Sequence, residues 1–352
     1  MLDYLVIGGG LAGISFCEVL RKQGCSFKMI TDTSQQASLV AGGLYNPVIL
    51  KRFTLAWNTP EQMQMALPFY EEMEQLLSAK LDYKIPVLRR FASIEEQNLW
   101  FEACDKPFLS DFLSPEILPN TNPQIDAPFG LGQVLHTGRV DTKILLEKYQ
   151  GFLEDEGALL RETVDYDAVD ISEEGVAYKA LQAKKVVFAD GFGLKQNPFF
   201  AYLPLNGTKG ELLTIHAPDL KETSVIKSSV FIIPLGEDLY RVGATYKWKD
   251  KTNVPTEASK NELLTKLKVF LKADFEVKKH VAGIRPTVTD RRPLVGTHPQ
   301  YKNLFCLNGF GSRGVLIAPY AAQQLFDRIE KGAELNQEMD IARFQKHYEE
   351  AP

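Results

Sequence analysis

A chain of 352 residues, 45% hydrophobic and 24% charged, has room for one large or two moderate domains with real cores. Its net charge of −5 argues against a nucleic-acid-binding surface, and no apolar run approaches the length of a membrane span. The chain opens with Tyr4-Leu5-Val6-Ile7, an apolar strand pattern, running into Gly8-Gly9-Gly10-Leu11-Ala12-Gly13. Asp3 stands where a secretory leader carries a basic residue, so this start reads as part of the fold and not as a signal peptide. Strand, Gly-x-Gly-x-x-Gly turn and helix in that order form a dinucleotide-binding unit. Gly8 permits the bend, Gly10 lets a phosphate approach the backbone, Gly13 lets the helix pack on the strand, and the helix N-terminus meets the phosphate charge.

The first helix is expected over Leu11 to Lys22, stopped by Arg21, Lys22 and Gly24. A second strand follows at Phe27 to Ile30. The slot that usually holds an acidic residue for the ribose falls on Thr31, with Asp32 one position later. The third strand of a continuous NAD-type unit does not follow. A loop from Ser34 to Pro47 takes its place and contains Val40-Ala41-Gly42-Gly43-Leu44-Tyr45-Asn46-Pro47. Helical patterns occupy Pro60 to Leu77 and Ile94 to Glu102, and the Pro/Asn-rich stretch Leu118 to Gly130 reads as a surface loop or lid. A helix is expected over Asp141 to Glu156 with Asp141 as its cap, then strands at Val164 to Ile171, Gly175 to Ala180 and Lys185 to Ala189. Val186-Val187-Phe188-Ala189 is a short buried run ending at Asp190-Gly191-Phe192-Gly193, as suits a parallel strand under a cofactor. Leu212 to Ile215, Val230 to Pro234 and Leu239 to Thr245 alternate like antiparallel strands, followed by a helix over Asn261 to Leu271. The last third returns to strand (Leu304 to Leu307), Gly-rich turn and helix (Val315 to Ile329). Cys17, Cys25, Cys104 and Cys306 have no metal-ligand spacing and suit a reduced, cytoplasmic protein. The five histidines likewise form no ligand set.

Two further segments go with the fingerprint: Gly283-Ile284-Arg285-Pro286, and Leu304 to Val315 with its Asn308-Gly309-Phe310-Gly311-Ser312-Arg313-Gly314 turn. In this order they resemble the FAD-dependent D-amino-acid oxidase superfamily, which includes glycine oxidase, sarcosine oxidase and the FAD domain of the bifunctional tRNA-wobble-uridine enzyme. The Gly-Ser-Arg-Gly segment is especially similar to the last of these. The resemblance implies an α/β fold. A Rossmann-like FAD-binding domain of the glutathione-reductase type would span residues 1–48, 140–195 and 281–352. An inserted antiparallel-sheet α+β substrate domain would span 49–139 and 196–280.

The resemblance also implies site residues. Non-covalent FAD would lie on Gly8, Gly10, Leu11, Ala12 and Gly13, with Thr31 or Asp32 at the ribose and Val164, Ala189 and Gly191 beside it. Gly43, Leu44 and Asn46 belong to the loop expected to cross the flavin ring, with Lys51 and Arg52 just beyond. Gly309, Gly311, Ser312, Arg313, Gly314 and Val315 form the second turn, whose helix N-terminus faces the flavin pyrimidine edge and eases reduction. Cys306 is not where relatives attach flavin covalently. Arg285 would grip a substrate carboxylate in a fork that lysine cannot copy. Tyr246 would line the pocket, and Arg241 occupies roughly the strand position of an oxygen-activating lysine in sarcosine oxidase relatives. The implied activity is oxidation of the C–N bond of an amine or amino acid, by hydride transfer to flavin N5 and hydrolysis of the imine. Dioxygen or another acceptor would take the electrons. Three other readings stay open: a tRNA carboxymethylaminomethyl-uridine oxidoreductase, against which stand the acidic charge and the missing methyltransferase domain; an NAD-dependent dehydrogenase; and a flavin-binding subunit without turnover. Homo-oligomerisation is open.

Overall fold

The computed structural model describes residues 1–350. In chain order, the elements that position the site begin with Leu2–Ile7 (β1), Leu11–Lys22 (α1), Phe27–Thr31 (β2), Thr59–Leu77 (α2) and Val87–Arg90 (β3). Thr142–Asp155 (α3), Leu159–Arg161 (β4), Leu181–Phe188 (β5) and Thr208–His216 (β6) follow. Then come Val225–Lys227 (β7), Phe231–Gly236 (β8), Leu239–Gly243 (β9) and Glu257–Lys268 (α4). The last are Glu276–Arg285 (β10), Leu294–Thr297 (β11), Leu304–Asn308 (β12) and Gly314–Lys331 (α5).

The first sheet runs β4-β2-β1-β5-β12, all parallel, with β11 antiparallel beyond β12. Its central strands are apolar on both faces because helices cover one side and a second core the other. The strand missing after β2 is β4, which lies beside it but arrives only after residues 34–158. Helix α3 is the crossover that delivers it, capped by Asp141, whose side chain accepts from the Ile144 N–H. Helices α1, α2, α3 and α5 share one core, and Tyr70 on α2 donates to the Val315 carbonyl at 2.6 Å. Helix α2 lies within the span expected of the substrate domain, yet it packs here.

The second sheet runs β10-β6-β9-β8-β7-β3 and continues into Leu131–Val134 and Leu113–Leu118. Its pairs are antiparallel except β7 with β3. Helix α4 covers one face, and the other faces the cleft described below. Three local expectations need correction. The Leu118–Gly130 stretch is not a lid: Ile125 and Ala127 are buried in the core under α4, and its backbone is tied to Phe270 and Lys272. Residues 164–171 are not one strand, because the Asp165 side chain caps a single helical turn at Tyr166–Ala168 before a short strand begins. Helix α4 starts at Glu257, earlier than expected, because Thr256 caps it by accepting from the Ser259 N–H. No helix is long and apolar enough to cross a membrane among the described residues.

Candidate active site

Parallel strands joined by helices leave a crevice beyond their carboxyl ends. Here β1, β2, β5 and β12 run into Gly8, Asp32, Ala189 and Gly309, and all four of these residues line one cavity of about 1440 Å³. The cavity continues under β6–β9 of the second sheet.

The strand end is shaped for a long anionic group. Gly8 has φ +113°, and a Cβ there would strike the Ala189 carbonyl. A Cβ on Gly13 would collide with the Gly8 carbonyl, so α1 seats directly on the turn. Gly10, just before α1, has no side chain to cap it, and only the neutral Ser38 hydroxyl accepts from the Leu11 N–H; Arg313, just before α5, makes no side-chain cap. Two positive helix ends therefore open on one cavity without an anion of their own. Thr31 turns inward, its hydroxyl accepting from the Gly9 N–H at 3.0 Å. Asp32 stands in the cavity, its carboxylate accepting from Ser34 and from the Thr163 hydroxyl. Burial opposes its ionisation, but those hydrogen bonds outweigh it and hold Asp32 below the usual carboxylate range. Asp190 is buried and pushed up to about 6 by burial, although Asn197, Tyr166 and Asn308 all donate to it. This network ties the end of β5 to the end of β12. The two positive helix ends, the bare Gly10 and Gly311 on the cavity wall and the cavity-lining Asp32 fit an FAD laid from Asp32 toward α5.

Where the two sheets meet, the loop after Val40 is tied to α5. Arg313 donates to the Asn46 carbonyl at 2.8 Å, and Asn46 in turn accepts from the Val48 N–H. Burial lowers Arg313 to about 10, and it has no carboxylate partner among the described residues. Arg285 ends β10 and crosses over Gly210 of β6, where any Cβ would occupy the guanidinium position. Its Nη1 donates to the Thr245 carbonyl at 3.2 Å, and its Cζ stands 4.3 Å from the Tyr246 ring centroid. Burial lowers its pKa. Arg285 lines the cavity.

The structure brings the expected residues together with two exceptions. Gly8, Gly10, Leu11, Ala12, Thr31, Asp32, Gly43, Leu44, Asn46, Val164, Ala189 and Gly191 line the cavity. So do Gly309, Gly311, Ser312, Arg313, Gly314 and Val315, as well as Arg285, Tyr246, Lys51 and Arg52. Gly13 lies under the turn and does not line the cavity. Arg241 does not line it either. Its guanidinium is buried near Arg139 and Asp141, and its Nε has no partner among the described residues. Lys227 escaped the sequence reading. It ends β7 in the cavity, 4.7 Å from the Phe231 ring centroid, and looks in sequence like any strand-terminal lysine. Cys306 is buried within β12. Among the described residues no cluster suits a metal ion.

The family described as FAD dependent oxidoreductase matches residues 3–328. Glycine oxidase of Bacillus subtilis (strain 168) is 30% identical over 163 residues, 44% of this chain and 43% of the relative. A tRNA 5-methylaminomethyl-2-thiouridine biosynthesis bifunctional protein of Caulobacter sp. (strain K31) is 25% identical over 348 residues, 92% of this chain and 54% of the relative. The matched segments thus span only about half the length of these relatives, or less. The crystal structure of glycine oxidase from Bacillus cereus ATCC 14579 superposes with a TM-score of 0.78 at 21% identity, covering 95% of this chain and 96% of that one. That likeness is one of fold.

Proposed function

This chain belongs to the family of FAD-dependent oxidoreductases, and on that premise we propose that it oxidises the carbon–nitrogen bond of an amine or amino acid held by its carboxylate on Arg285. One observation carries the reading: a guanidinium out of bulk water at the wall of the cofactor cavity, with a single carbonyl contact and no carboxylate partner among the described residues. Burying a cation without an anion is costly unless a ligand supplies one. FAD, when bound, supplies the two-electron acceptor for the C–N bond.

The residues of this chain bind and orient. The Thr245 carbonyl and the Tyr246 ring fix the plane of the Arg285 fork, so a carboxylate docks with one geometry. Asp32 would hold the ribose hydroxyls, since the Thr31 hydroxyl is already committed to Gly9. The uncapped end of α5 and Arg313 set positive potential at the far end of the cofactor cleft. A substrate amine entering neutral needs no side-chain base. Four free cysteines suit a reducing compartment, which we take to be the cytoplasm. The test is anaerobic mixing of the yellow holoenzyme with glycine, sarcosine, D-amino acids and proline. Bleaching of the flavin by at least one of them is expected, and its loss in Arg285→Gln with flavin content retained. No bleaching by any of these amines would sink the reading.

A second reading makes the amine a carboxymethylaminomethyl-uridine in tRNA. The near full-length match to half of the bifunctional tRNA protein favours it; the net charge of −5 weighs against it. Salt-sensitive tRNA binding and flavin bleaching by the modified nucleoside would select it, and neither occurring would remove it.

A further inference from the structure

Lys227 is a cavity cation that the proposed function leaves unused. Lys227 pairs in register with Phe231, Phe231 with Gly243, and Gly243 with Leu212, a row across four adjacent strands. Arg285 lies over Gly210, two residues along β6 from the end of that row. Lys227, Phe231, Gly243, Leu212, Gly210 and Arg285 all line the cavity. Two cations therefore stand at the two ends of one sheet floor. With strands ~4.8 Å apart, three strand steps, about 14 Å, separate the Lys227 strand from β6, over which the Arg285 guanidinium lies. Two long side chains reaching inward leave a gap suited to a short molecule.

The ends of the floor are alike in what they lack. The neighbouring Arg89 is satisfied: its guanidinium donates to Glu96 and to the carbonyls of Lys227 and Ser228. Glu262, the carboxylate nearby on the cavity wall, is held at 2.6 Å by Lys247 and at 2.7 Å by Lys266. The Lys227 ammonium has a hydrogen bond to none of the described residues and rests only against the Phe231 ring. Burial, then the positive charges of Arg89 and Arg285, lower it to about 8. The protein thus places a cation where it is unfavourable and provides no internal counter-charge.

We propose that the substrate is a dicarboxylate, an amino acid or secondary amine with one carboxylate on Arg285 and a second, a few bonds away, on Lys227. This rests on the reading of Arg285 above and adds the second anchor. Lys227 is a specificity residue in this scheme, selecting for a second negative charge by leaving its ammonium unpaired when a monocarboxylate enters.

The test uses ligands that cannot be oxidised, so that it does not depend on the amine chemistry. Glutarate and pentanoate share a five-carbon chain and differ in the second carboxylate. Each is titrated into the FAD-loaded protein and followed by the perturbation of the flavin absorption band. A charge-assisted hydrogen bond predicts that glutarate binds about tenfold or more tightly than pentanoate. In Lys227→Met the glutarate dissociation constant rises to the pentanoate value, while Lys227→Arg keeps most of the preference. A flavin spectrum in each variant shows that it has folded and loaded. Equal binding of the two acids by the parent, no perturbation by either, or a preference that survives Lys227→Met would each overturn the proposal. If the glutarate preference holds while no amine, D-aspartate, D-glutamate and iminodiacetate included, bleaches the flavin, the second anchor stands and the C–N oxidation fails. If glycine or sarcosine bleaches the flavin and glutarate has no advantage, the reverse is true.

Discussion

The Arg285 guanidinium has its place only because Gly210 has no side chain. A Cβ at Gly210 would occupy the space of the guanidinium, which is the mobile end of a long side chain and can yield without moving the sheet. Gly210→Ala is therefore expected to leave the melting temperature and flavin content near the parent values. It should raise the substrate KM about tenfold or more, as expected for one charge-assisted hydrogen bond misplaced. Steady-state kinetics beside a thermal melt check this; a large loss of stability with unchanged KM would place Arg285 outside the substrate site. Lys227 gives a second prediction at the same scale. The charged groups around it are Arg285 from β10 and Arg89 from β3, the latter matched by Glu96. Its pKa is depressed to about 8, so the ammonium is protonated below that pH and neutral above it. Glutarate affinity should hold on the acid side and fall as pH rises through this region, with the midpoint moved upward by the bound anion. Pentanoate affinity should show no such step, and Lys227→Met should abolish it. A glutarate profile that is flat across that range would count against Lys227 as the second anchor.

Helix α1 and the turn before it are where sequence and structure agree most closely, and the reason is steric. A Cβ on Gly13 would run into the Gly8 carbonyl, a backbone atom that cannot step aside. Gly13→Ala is expected to push α1 off the turn, destabilise by about 1–3 kcal/mol as other overpacking changes do, and yield protein depleted in FAD. Gly151 in the middle of α3 is the control, because a Cβ there meets nothing within 4 Å. Gly151→Ala should stabilise by ~0.5–1 kcal/mol, the helix preference of alanine over glycine, and leave flavin content unchanged. Absorbance at the flavin band and denaturant melts of both variants decide it. The same steric logic explains what was legible. Gly8 to Gly13 and Asn308 to Gly314 mark local backbone shapes, and local shapes are written in consecutive residues. β4 was hidden because a strand's neighbour is chosen by tertiary pairing, here with β2 across the whole 34–158 stretch. The supposed lid was misread because a Pro/Asn-rich composition gives no sign that Ile125 and Ala127 are buried against α4. Arg241 on β9 and Lys227 on β7 sit on strands of like pattern either side of β8, and only their places in the sheet separate the one beside Asp141 from the one in the cavity.

At the scale of the molecule, a buried charge cluster holds the segment after β9 in place beside Arg285. Lys209 on β6 is fully buried and donates to Asp250 at 2.6 Å, to Thr252 at 3.3 Å and to the Val254 carbonyl. Glu211, two residues on and also fully buried, accepts from the Thr256 N–H and hydroxyl. Together they strap residues 245–256, with Tyr246 and Trp248, across the wall that carries Arg285. Tyr246 is 57% exposed and Trp248 51%, so the strap and not hydrophobic burial holds them in place. Lys209→Met removes the ammonium that lies 3.6 Å from Glu211 Oε1 and frees Asp250, leaving buried Glu211 with Thr256 and His280 as its partners. Breaking a buried pair in this way costs roughly 3–5 kcal/mol, and the strap it releases should show first as proteolytic cleavage within 245–256. FAD adds a separate term, because it binds the folded cavity and not the unfolded chain. At a thousandfold excess over its dissociation constant this linkage is worth about 4 kcal/mol. The two terms act at opposite ends of one cavity, so they should be nearly additive. Added FAD should raise the melting temperature of the parent and of Lys209→Met by similar amounts, while Gly13→Ala responds little. A Lys209→Met protein that gains no stability from FAD would mean that the strap and the cofactor cleft form a single cooperative unit.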